Sequence, residues 1–170
     1  MSLYDISIPQ MARVVGQVHR WLDKAQSYAE QKKFDPQVLL TARLAPDQWP
    51  LSRQIQIITL APQRLGALLR GLPPPSPEES ETTLPALRER VDAALEHLKA
   101  LKPEEFQGAE ERVIPLFFMP GKGMKAQEFV VQFALPNFYF HAVTAYAILR
   151  HNGVDVGKMD FLGELNLLDV

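Results

Sequence analysis

The sequence predicts an all-α protein, an up-and-down four-helix bundle with a small β-hairpin before the last long helix. Three observations predict it. Four long segments of the 170-residue chain carry apolar side chains at offsets of three and four. Their connections are short, so the stripes are most economically buried against one another. Before the fourth segment the pattern changes to a brief apolar run followed by the turn residues Pro120, Gly121 and Gly123. No half of the chain carries a core of its own, so residues 1–170 are expected to form one domain.

The first helix is expected from Pro9 to about Lys33, with a stripe of Met11, Val14, Val15, Val18, Trp21, Leu22, Ala25 and Tyr28–Ala29. Asp35-Pro36 reads as an N-cap and first-turn proline opening a short helix through Val38, Leu39 and Leu40. A loop over 45–50 feeds the second long helix. That helix runs through Ile55, Ile57–Ile58, Leu65 and Leu68–Leu69 toward Gly71, with a kink expected at Pro62. Residues 72–77 and the acids after them read as an inter-helix loop. Thr82 or Thr83 is placed to cap the third long helix, whose stripe is Leu84, Leu87, Val91, Ala94–Leu95, Leu98 and Leu101. Strands are expected at about 111–118 and 123–128. The last long helix follows over about 127–151, with Pro136 as an internal kink or restart and Asn152-Gly153 as its C-cap. Residues 154–170 read as an irregular tail wrapped on the bundle.

Composition narrows the chemistry. Eighteen basic and twenty acidic side chains leave a net charge of -2, so there is no global attraction to nucleic acid or anionic lipid. No apolar run reaches the roughly 18 residues of a membrane span. Zero cysteines remove disulfides, thiol nucleophiles and iron–sulfur clusters. Met1–Asp5 shows no basic stretch leading into an apolar one, so no signal peptide is expected and the location is expected to be cytoplasmic.

The last helix is the most informative segment. From Phe138 to Leu149 it is apolar nearly all round, the pattern of a central, buried helix. His141 is its one strongly titratable group, and Asn137, four residues earlier, shares its face with Thr144 and Ile148. Two polar side chains one turn apart form half of a metal or ligand site; they equally suit a buried histidine hydrogen-bonded to a neighbour. Gln54 and Gln56, two apart on an isoleucine-rich helix, cannot face the same way, so one is expected to point inward toward His141. His19 reads as a boundary residue, His97 as solvated, and His151 as a charge on a helix C-terminus. Pro120-Gly-Lys-Gly123 lacks phosphate-loop spacing and reads as a hairpin turn; no serine lies in G-x-S-x-G. Arg43, Arg53, Arg64 and Arg70 form no evident basic stripe.

The block from Leu39 to Ile57, with Ala45-Pro-Asp-Gln-Trp-Pro50 and Arg53-Gln-Ile-Gln-Ile57 inside it, resembles the DUF1993 family. So do the block from Phe133 to Gly153 and Asp160-Phe-Leu-Gly163. The resemblance covers essentially the whole chain. The family's function is undefined, and it is similar in turn to the DinB/YfiT-like four-helix bundles, many of which hold a divalent metal with three histidines. The resemblance implies one ligand from the second long helix, near Gln54 or Gln56, and two from the last, at Asn137 and His141. Only one of these is histidine, and Leu60 stands where an acidic residue is expected. What is implied is a DinB-like bundle with a degenerate metal site.

The leading reading is therefore a small-ligand-binding or interaction protein, without established catalysis, whose pocket is lined by Gln54, Gln56, Asn137, His141 and Thr144, with walls from Phe138 or Tyr139. The alternative is a metal-dependent transferase or hydrolase in which His141 is a ligand to a divalent metal. No nucleic-acid or membrane partner is expected, and a homodimer is.

Overall fold

The computed structural model describes residues 1–76 and 80–169. Pro77, Glu78 and Glu79, the end of the expected inter-helix loop, lie outside the described residues, as does Val170. The chain forms α1 (Ile8–Lys32), α2 (Gln37–Thr41), α3 (Leu51–Leu69) and α4 (Leu84–Ala100). A hairpin of β1 (Val113–Pro115) and β2 (Gly123–Lys125) follows, then α5 (Ala126–Phe129), a π-helical turn (Val130–Ala134), α6 (Leu135–His151) and α7 (Lys158–Leu162). This is the predicted all-α bundle with its hairpin. α3 packs most extensively, against α6 and α4, and α1 packs mainly against α4.

Local chemistry accounts for most boundaries. The expected stripe of α1 is buried from Met11 to Ala29 except for Tyr28, which is half-buried. Asp35 accepts from the Gln37 N–H at 2.9 Å and so caps α2. The Thr83 hydroxyl accepts from the Ala86 N–H at the start of α4. At the end of α6 the Val154 N–H reaches back to the Leu149 carbonyl, with Gly153 at φ +92° making the left-handed turn.

α3 continues through Pro62, which is buried and removes one donor without ending the helix. Three expectations need correction. The strands are three residues each, paired antiparallel as Val113↔Lys125 and Pro115↔Gly123, because the chain turns at once after Leu116, where the Met119 N–H reaches the Leu116 carbonyl, and Lys125 leads directly into helix. Two 3-10 turns, Pro103–Phe106 and Ala109–Glu111, precede them. The tail is not wholly irregular: α7 docks on α1, where the Trp21 indole donates to the Asp160 carbonyl at 2.8 Å and Lys24 pairs with the Asp160 carboxylate at 2.7 Å. Finally, α6 is not the innermost helix. It turns Phe140 (55% exposed) and Val143 (52%) outward, whereas α3 is buried along most of its length. No helix among the described residues is long and apolar enough to cross a membrane.

Candidate functional site

The close packing of α3 on α6 brings Gln54 to His141. The Gln54 amide nitrogen donates to the Trp49 carbonyl at 3.0 Å, so its Oε1 is the acceptor facing His141 Nδ1, 2.7 Å away. The network thereby assigns the proton of a neutral imidazole to Nδ1 and leaves a lone pair on Nε2. Burial, and after it the charge of Arg53, push the His141 pKa below its ordinary value, which keeps the ring neutral. The ring lies flat against Trp49, with centroids 5.8 Å apart and planes 12° apart, and the Arg53 guanidinium sits 5.1 Å above the indole.

The other expected site residues divide. Asn137 is half-buried, shares a cleft with His141 and makes no hydrogen bond among the described residues. Gln56 is turned away, as two-residue spacing on a helix requires. It donates to the Glu81 carboxylate at 3.0 Å, within a network in which Arg90 pairs with Glu81 at 2.7 Å and donates to Thr59 at 2.8 Å. Thr144 is buried and spends its hydroxyl on the Phe140 carbonyl one turn back, at 2.7 Å. It does not line the cleft. Neither do the expected aromatic walls: Phe138 is sealed in the core, and the Tyr139 hydroxyl donates to Gln10 at 2.6 Å. Of the other histidines, His19 meets Asp92 at 2.9 Å, while His97 and His151 are exposed.

The cleft has a volume of about 840 Å³ and lies between α3, the hairpin loop and the α5–α6 helix. One face of α3 supplies Arg53, Ile57, Leu60, Ala61, Arg64 and Leu68, spaced at three and four. That spacing was readable from sequence; it puts Arg53 and Arg64 on one face, while Arg43 and Arg70 bond elsewhere, to the Gln48 carbonyl and to Glu105. The opposite wall is Phe129, Phe133, Asn137 and His141. Side chains four apart drift by about 40° per step round an α-helix. The π turn, in which the Leu135 N–H reaches five residues back to Val130, takes back part of that drift and keeps the four on one side. The same widened turn makes room for Pro136, which has no N–H to give. Leu116, Phe117 and Lys122 close the cleft from the hairpin loop.

A divalent metal does not fit these residues. His141 Nε2 is one good donor, held by Gln54 as a ligand histidine would be held. Gln54 Oε1 is committed to Nδ1, Asn137 offers only a neutral oxygen, and the nearby Arg53 charge repels a cation. No group of three or more histidine, aspartate or glutamate side chains able to hold a metal occurs among the described residues.

Comparison with known proteins agrees with this architecture. A family model described as a domain of unknown function, DUF1993, matches residues 3–162. The crystal structure of a DinB family member protein from Shewanella denitrificans superposes with a TM-score of 0.93 at 40% identity, covering 99% of this chain and 96% of that one. No curated protein matches. The chain accordingly belongs to the DUF1993 family, as a helical bundle of the DinB kind.

Proposed function

We propose that the protein is a small-molecule-binding member of the DinB-like bundles, in which a degenerate metal site has become the end of an organic ligand pocket. The observation that carries this reading is the 840 Å³ cleft with His141 in its wall. The imidazole is neutral, oriented by Gln54, and has no partner on Nε2 among the described residues. A preformed, mainly apolar cavity with a few placed polar groups suits a small organic ligand. The metal-dependent transferase or hydrolase reading lacks support because the donor set is wrong for the metal.

The neutral apolar dye N-phenyl-1-naphthylamine tests this. It should bind saturably at one site per chain, and Ala61→Trp, which fills the α3 wall, should abolish binding with helical circular dichroism unchanged. Absence of binding, or binding indifferent to Ala61→Trp, overturns the reading. The expectation of a homodimer stands beside it as a separate proposal, supported by the outward Phe140 and Val143 on α6. Sedimentation equilibrium should show a dimer that Val143→Glu converts to monomer.

A further inference from the structure

The cleft lining has two chemistries. Ile57, Leu60, Leu65, Leu68, Leu116 and Phe133 make an apolar channel, and Arg64 and Lys122 add positive charge from its two sides. No acidic side chain is among the described residues that line it. Glu81, which accepts from Gln56 on the far side of α3, already pairs with Arg90. Arg64 spends only its Nε–H within the protein, on the Pro75 carbonyl at 3.1 Å, so the other four N–H groups of its guanidinium stay available among the described residues.

We infer that the cleft takes a single-chain amphipathic carboxylate, its hydrocarbon lying along the apolar channel and its head held by Arg64 with Lys122. This rests on the ligand-pocket reading above and names the class of ligand. A guanidinium fork matches a carboxylate in geometry as well as charge. Partial burial and repulsion from Arg90 both disfavour the charge on Arg64, and an anion in the cleft relieves both. The other end is unsuited to the head group. His141 Nε2 presents a lone pair, which faces a carboxylate oxygen unfavourably, so the chain is oriented with its anion toward Arg64. A cationic amphiphile of equal length meets the like charges of Arg64 and Lys122.

Displacement of N-phenyl-1-naphthylamine by decanoate, decanol and decyltrimethylammonium, each below micelle-forming concentration, tests the inference. Decanoate should compete at about one tenth of the concentration decanol needs, the worth of one charge-assisted contact, and should weaken with added salt. Decyltrimethylammonium should compete less well than decanol. Arg64→Gln should remove most of decanoate's advantage and leave decanol unchanged; Lys122→Gln, on the exposed hairpin loop, is the second variant should the first fail to fold. Equal competition by decanoate and decanol, or a decanoate preference that survives both substitutions, overturns this inference while the pocket reading stands. Failure of the dye to bind, with no heat of decanoate binding by calorimetry, overturns both.

Discussion

His141 illustrates how one buried side chain is held and what holding it costs. Its Nδ1–H satisfies Gln54 Oε1, and Gln54 in turn satisfies the Trp49 carbonyl, so removing the imidazole orphans an acceptor. His141→Ala should destabilise the fold by about 1–3 kcal/mol at pH 8 in urea titrations. The folded pKa lies below the ordinary histidine value, so the unfolded chain binds the proton more readily. Stability from this group is therefore complete above about pH 6.5 and is lost as pH falls through the folded value. The gap between wild type and His141→Ala should narrow between pH 7 and pH 5; a gap that widens would show that the folded ring gains, rather than resists, its proton.

The π turn between α5 and α6 is the element on which the cleft's second wall depends. Inserting one alanine after Gln132, an exposed residue inside it, adds about 100° of helical rotation between Phe129 and the rest of the wall, Phe133, Asn137 and His141. Dye binding should be lost while far-ultraviolet circular dichroism stays near wild type; retained binding would mean the wall does not need that phase. Elements governed by their own residues were legible in the sequence: the α1 stripe, the Asp35 cap, a cap at Thr82 or Thr83, and the Asn152-Gly153 ending. α7 was not, because Trp21 and Lys24, well over a hundred residues away, hold it in place. The exposed side of α6 was also hidden. Phe140 and Val143 are as apolar as the buried residues beside them, and composition does not tell an inward from an outward hydrocarbon. Within the site, that one of Gln54 and Gln56 meets His141 followed from helix spacing and family resemblance; that it is Gln54 is given by the packing of α3 on α6. Trp49, Phe117 and Lys122 did not, since loop residues enter the cleft through tertiary packing alone.

For the molecule as a whole, the bundle derives its core from side chains of all four long helices and needs no inorganic centre to close it. Protein purified without chelator should carry well under one equivalent of nickel, zinc or iron by elemental analysis. Its melting temperature should be unmoved by EDTA. A stoichiometric metal whose removal lowers the melting temperature would restore the metalloenzyme reading.

The two tryptophans of the chain have opposite surroundings. Trp21 is shut inside with its indole N–H tied to α7, and Trp49 is half-open at the mouth of the cleft against His141 and Arg53. Each therefore emits at its own colour, the first blue-shifted and insensitive to small quenchers, the second redder and within their reach. A single spectrum, taken with and without acrylamide, thus separates unfolding from occupation of the site without any label being attached.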